Sequence, residues 1–218
     1  MPGLTRRIFI ASAALSAGMT SKLASAGKDA AVPAGAKRGD MPLLEALSKR
    51  RSTRLFSDET IDEATLATML WCAFGINRPD SGYRTAPSWR SSMETDIYVA
   101  DTGGVRKFDP SAEAMAPALN EDIRKKASPQ PFVGTAPTVL IYVADRSRMA
   151  EAAEPAQIQS AHVDAAIIAQ NVYLYCASAG LGTCLVGGAD KEGLKALLRL
   201  PDTKLVTFVQ PIGYPKTN

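Results

Sequence analysis

Ser160-Ala161-His162-Val163-Asp164-Ala165-Ala166-Ile167-Ile168-Ala169-Gln170-Asn171-Val172-Tyr173-Leu174-Tyr175-Cys176-Ala177-Ser178-Ala179 carries apolar residues nearly all round a helix, and Gly180 stops it. Such a helix must be covered on every side, by a core or by a second subunit. Ahead of it, Pro137-Thr138-Val139-Leu140-Ile141-Tyr142-Val143-Ala144 is apolar on both faces and reads as a central strand. Residues 95–100 and 105–108 flank the turn Asp101-Thr102-Gly103-Gly104 and read as a hairpin, with a helical stretch expected around residues 116–126. Behind the long helix, residues 183–186 read as a short strand, 191–200 as a helix and 204–212 as a last strand. Near the start, residues 42–47 open a short helix with Leu43, Leu44 and Leu47 on one face. Thr60 and Glu63 form a candidate capping box for a helix carrying Leu66, Met69, Leu70 and Ala73 as far as Gly75. Helices and strands interleave without an internal repeat or a second domain, which leaves one α/β or α+β domain.

The 218 residues are 46% hydrophobic and 22% charged, the profile of an ordinary globular domain. The formal charge of +3 resides in the leader. Without Arg6, Arg7 and Lys22, the 22 remaining basic residues balance 22 acidic ones, so there is no electrostatic footprint for nucleic acid. Residues 1–26 resemble a bacterial twin-arginine (Tat) signal, in the order such a leader needs. Arg6-Arg7 precede a modest apolar run, and Ala24-Ser25-Ala26 offers a cleavage site. That order predicts export of a folded precursor by the Tat machinery to the periplasm. Residues 27–40, rich in Ala, Gly and Lys, read as a linker, and the folded domain is expected over 41–218.

Several chemistries are excluded or disfavoured. His162 is the only histidine and lies within the long helix, with no GxSxG nucleophile, so a packed or bonded side chain is favoured over hydrolysis. Neither HExxH nor clustered carboxylates point to a metal, and Walker A and GxGxxG loops are absent. Cys72, Cys176 and Cys184 lie in apolar segments without a CxxC pair, and read as buried free thiols. A cofactor is therefore expected to carry the reaction.

Arg50-Arg51-Ser52-Thr53-Arg54 is a compact anion site, because guanidinium forks match phosphate oxygens and a hydroxyl adds a neutral donor. Alone, it reads better as a solvated helix end, which is common and favourable to the macrodipole. In order along the chain stand this run, the turn Ala86-Pro87-Ser88 before a strand, and the long helix leading to Gly180-Leu181-Gly182-Thr183-Cys184. Together they resemble the nitroreductase family of FMN enzymes, in the branch with SagB-type dehydrogenase-like proteins, over roughly residues 43–216.

The resemblance implies an α+β sandwich, helices around a mixed, largely antiparallel sheet, assembled as an intertwined homodimer with FMN at its interface. It assigns Arg50, Arg51, Ser52 and Arg54 to the phosphate, ribityl chain and pyrimidine edge. Pro87, Ser88 and Ser91 match the loop reaching the flavin from the neighbouring subunit; many relatives have Asn where Ser91 stands. Leu185, Val186, Gly187 and Gly188 match the segment passing one face of the ring, with a backbone N–H near its N5. Trp89 and Tyr83 are candidates for shaping the substrate pocket. The family's longer C-terminal tail has only Lys216 as a counterpart. No catalytic side chain and no metal are implied. The expected activity is ping-pong electron transfer, from NAD(P)H or an unknown periplasmic donor, to nitro, quinone or similar acceptors. The alternatives are SagB-like dehydrogenation or oxidation of a peptide or heterocycle, and flavin binding without turnover.

Overall fold

The computed structural model describes residues 41–216. The leader and linker readings (1–26 and 27–40) lie outside the described residues, as do Thr217 and Asn218.

A six-stranded sheet forms the frame, built from β3 (Thr95–Asp101), β4 (Gly104–Asp109), β5 (Ala114–Leu119), β6 (Thr138–Asp145), β7 (Gly182–Thr183) and β8 (Lys204–Gly213). Its order is β5-β4-β3-β6-β8-β7, and every pairing is antiparallel. A separate small hairpin joins β1 (Ile76–Arg78) to β2 (Tyr83–Arg84). Residues 139–144 of β6 are fully buried, as a strand apolar on both faces must be. One core cluster lies on each side of the sheet. Leu140, Tyr142, Ile97 and Val99 meet the helices α2 (Glu63–Phe74) and α4 (Glu154–Ala179) on one side. Val139, Ile141 and Val143 meet Ile123, Val133 and Leu194 on the other. The buried Tyr142 hydroxyl donates to Gln210, so its polar end is satisfied inside the core.

α4 starts six residues earlier than the apolar run, with Pro155 in its first turn, and ends at Gly180 with φ 73°. Ala161, Ala165, Ile168, Ala169 and Val172 enter the core. On its other side Ile158, Val163 and Ile167 stay exposed, as do Leu43, Leu44 and Leu47 of the short helix α1 (Leu43–Lys49). The covering that the sequence demands is therefore half supplied within one chain.

Two local expectations are corrected. The cap of α2 is Asp62, whose carboxylate accepts from the Thr65 N–H at 2.9 Å and its hydroxyl at 2.7 Å. Glu63 turns outward to Arg106 instead of closing a box with Thr60. The stretch around residues 116–126 is strand β5 followed by a single turn at Arg124–Lys126, not a helix. Its alanines favour helix, but Pro117 does not suit a helix interior and is tolerated on an edge strand.

Ile168 is fully buried between α2 and the sheet. Ile168→Ala is expected to destabilise the fold by about 2–5 kcal/mol, measured by urea unfolding; a cost below 1 kcal/mol would show that this face of α4 is loosely packed.

Candidate functional site

After α1 the chain becomes extended, and alternate side chains then point to opposite sides. Ser52 makes a parallel bridge with Thr183, the one parallel pairing among the described residues, and the Thr53 N–H donates to the Thr183 carbonyl at 2.9 Å. A Cβ on Gly182 would lie 2.6 Å from the Thr53 side chain, so glycine is what allows the two segments to meet. On one side, the Arg50 guanidinium lies over the Tyr173 ring, and that of Arg54 lies over Phe132. The Ser52 hydroxyl bonds the Tyr173 hydroxyl at 3.1 Å. Arg51 and Thr53 instead line a cavity of about 310 Å3 with Cys176 and Gly180. None of the three arginines has a carboxylate within ion-pair distance among the described residues.

Tyr173 carries the connection onward, because its hydroxyl also accepts from the Leu185 N–H at 2.8 Å. Val186 is pinned to Val209 by two backbone bonds. Gly187 and Gly188 follow, exposed, and no described residue accepts from either N–H. Ser128 donates to the Gly188 carbonyl, and a Cβ on Gly188 would crowd the Gln130 amide at 3.0 Å. Tyr173, Phe132, Ser128 and Gln130 belong to this neighbourhood yet were not singled out by sequence. Only the bulk and hydroxyl of Tyr173 on an otherwise apolar helix face gave a signal. The C-terminal segment joins from the other side: the Lys216 N–H donates to the Leu55 carbonyl, next to Arg54.

Pro87, Ser88 and Ser91 are elsewhere. Ser88 accepts from the Met93 N–H at 2.9 Å, and the Trp89 N–H donates to Asp164 at 2.7 Å. Arg90, Ser91 and Met93 all have positive φ, a concentration of backbone strain in one loop. This loop docks at Asp164 on α4, while Arg50 and Ser52 dock at Tyr173. The two places are roughly 14 Å apart along the axis, at about 1.5 Å per residue. Of the predicted residues, one chain brings together Arg50, Ser52 and Arg54 with Leu185, Val186, Gly187 and Gly188. It does not bring Pro87, Ser88 and Ser91 to them.

Trp89 stacks beneath Arg90, and the exposed Tyr83 packs with Arg78. His162 is bonded as expected of a helix residue, through Nδ1 to the Ile158 carbonyl and through Nε2 to Lys191. Its neighbour Phe208 meets it edge-on. All three cysteines are free, Cys176 and Cys184 are buried, and burial pushes the half-buried Cys72 thiol up to about 11. No group of metal-ligating side chains occurs among the described residues. No described helix is long and apolar enough to cross a membrane.

The nitroreductase family model matches residues 47–214. The chain belongs to the nitroreductase family. It is 28% identical over 184 residues to a provisionally assigned nitroreductase of Methanocaldococcus jannaschii, covering 80% of this chain and 91% of that one. A solved structure of a provisionally assigned nitroreductase from Ralstonia eutropha superposes with a TM-score of 0.78 at 35% identity, covering 82% and 85% of the two chains. The NADPH:FMN oxidoreductase of Vibrio harveyi, solved with NAD+, shares the fold at a TM-score of 0.60 and 23% identity, over 81% and 70%. The chain is thus a nitroreductase-family oxidoreductase with the family's α+β fold. The matches define the family, not a branch within it.

Asp164 gives the loop a measurable handle. Burial, opposed by the Trp89 N–H and reinforced by the hydrogen-bonded carboxyl of Glu94, raises its pKa from 3.8 to about 6. A carboxyl raised on folding adds stability that is complete below about pH 4 and is lost as the pH rises through 6. Asp164→Asn keeps an acceptor for Trp89 and supplies a donor for Glu94. Its thermal midpoint should fall less than the wild type's between pH 4 and 7; identical slopes would show that Asp164 does not titrate in this window.

Proposed function

We propose that this nitroreductase-family chain is an FMN-dependent enzyme, passing electrons in ping-pong fashion from a donor to small nitro, quinone or similar acceptors. One observation carries the reading: three arginines with no carboxylate partner among the described residues stand beside exposed glycine backbone whose N–H groups none of those residues accepts from. This donor set suits FMN. Arg50 and Ser52 offer charge-assisted bonds to the phosphate, and the Arg54 cation suits the electron-rich pyrimidine edge. Gly187 and Gly188 let backbone approach a flat ring, and the two N–H groups offer its rim a donor. Bound FMN supplies the two-electron chemistry. The chain's own part is to hold the ring, keep water from one face and orient the acceptor. Arg51, on the opposite side of the extended segment, acts on the phosphate through its charge rather than by contact.

The working unit on this reading is an intertwined homodimer. The exposed Leu43, Leu44, Val163 and Ile167 need covering. A second copy also delivers Pro87, Ser88 and Ser91 to the flavin held by residues 50–54 of the first. The Vibrio harveyi relative is an NADPH:FMN oxidoreductase solved with NAD+, which supports a nicotinamide donor for the reductive half. The leader, with Arg6-Arg7 and Ala24-Ser25-Ala26, supports export by the Tat machinery to the periplasm, where a different donor is required. Export after folding explains how the cofactor leaves with the protein.

Purified protein is expected to show the visible absorption of flavin. Arg50→Ala combined with Arg54→Ala should lose that colour on dialysis while the far-UV circular dichroism is unchanged; a variant that stays yellow would place the grip elsewhere. For the leader, Arg6→Lys with Arg7→Lys should leave the precursor in the cytoplasm, followed by fractionation and immunoblotting. Undiminished periplasmic yield would rule out the Tat route.

A further inference from the structure

Among the described residues, the arginines around the sheet answer to different partners. Arg106 holds Glu63 and Asp101, Arg124 holds Asp122 with two nitrogens, and Arg148 holds the Met93 carbonyl and Asp96. Arg84 differs. Its guanidinium lies 4.7 Å from the Phe74 ring centroid, and Nη1 makes one long bond, 3.3 Å, to the Phe74 carbonyl. Its Nε is buried with no hydrogen-bond partner, as is that of Arg146, but Arg146 pairs with Glu154 and no carboxylate pairs with Arg84 among the described residues. A half-buried guanidinium with so little protein compensation is costly unless something else completes it.

Arg84 stands at the wall of a cavity of about 330 Å3, at the small end of the range that ligands occupy. Phe74, Phe108 and Ala116 give that cavity apolar walls, and Lys107 and Arg148 add two more cations. Asp96, at its floor, is already engaged by Lys107, Lys204 and Arg148 together. Asp109 also lines it, and is spent on the turn amides of Ser111 and Ala112. The local balance is therefore cationic. Burial and the nearby Arg148 charge press the Arg84 guanidinium below its ordinary range, against the smaller opposing pull of Asp96 and Asp109.

We propose that this cavity binds a small organic carboxylate, with Arg84 as its anchor and the phenylalanine walls receiving its apolar part. The Arg84 Nη2 group has no acceptor among the described residues and offers a carboxylate oxygen a charge-assisted bond. Charge from Lys107 and Arg148 draws the anion in, and Asp96 fixes those two side chains rather than competing for the ligand. The site is separate from the residues assigned to FMN and does not depend on that assignment. It is also close in sequence to the strained loop, since only Thr85 and Ala86 separate Arg84 from Pro87.

The test is a fluorine NMR titration of the purified protein, cofactor included, with 4-fluorobenzoate and its neutral counterpart 4-fluorobenzamide. Visible absorption is recorded in parallel. Saturable binding of the benzoate, absent for the benzamide, is expected, with the flavin spectrum unchanged. Arg84→Met should weaken it at least tenfold. Ala116→Phe, on the exposed face of β5, should abolish it by filling the cavity, and keeps the test valid if Arg84→Met fails to fold. No binding to the wild type, or equal binding by both variants, would overturn the proposal. So would a benzoate signal that tracks a flavin spectral change and is indifferent to Arg84.

Discussion

The constraint on which the basic end of the molecule depends is the close pairing of Ser52 and Thr53 with Thr183. An arginine-rich segment in water has no reason to adopt one conformation, because its like charges repel. Here two backbone contacts fix it as a strand, and Gly182 supplies the room that any side chain would fill. Once extended, the segment sorts its own side chains. Arg50, Ser52 and Arg54 fall on one side, and Arg51 and Thr53 on the other. The Tyr173 hydroxyl then ties that side to the backbone of Leu185, so cations and glycines are held in one frame. Without the pairing, the same residues would be a diffuse patch of charge.

α4 sets the second constraint, which is one of distance. It is too long to be spanned by a single site, and it anchors the basic segment near its end and the strained loop nearer its start. A chain that anchors the two groups of candidate residues on one rigid helix, roughly 14 Å apart by the axial rise, does not by itself bring them into contact. The uncovered Ile158, Val163 and Ile167 on the same helix point to the same resolution. On the proposed reading, a second copy covers them and brings the loop to the basic segment in one step.

Much of this was legible in the sequence, and the failures have physical causes. The β6 run and the α4 run were readable because burial on both faces, or all round, leaves no polar positions to confuse the period. Residues 114–119 misled because alanine's helix preference is a weak prior that one proline and an available edge overrode. Asp62 displaced Thr60 as the cap because both are competent and the tertiary partner Arg106 claimed Glu63. At the site, charge and glycine were visible, and the small β1–β2 hairpin was not. Tyr173 and Gln130 were also missed, since a tyrosine in an apolar helix looks like core until its hydroxyl is seen bridging two segments. Arg84 carried no signal at all, because an arginine's lack of partners is a property of the fold.

The arginines of residues 50–54 also bear on how the proposed cofactor would be kept. Three cations within five residues, none paired with a carboxylate among the described residues, repel one another in the empty site. A bound phosphate removes that repulsion and adds charge-assisted bonds, and both gains appear as affinity. Any ligand that binds only the folded state stabilises it in proportion to the logarithm of its saturation. On the reading proposed above, the cofactor is therefore a stabilising element of the fold as well as its chemistry. Carboxylates placed beside residues 50–54 would steady the empty chain by pairing with the arginines. They would also repel a phosphate, and so trade cofactor affinity for stability. The neutral ring contacts with Tyr173 and Phe132 avoid that conflict, because they hold two of the guanidiniums in position without cancelling their charge.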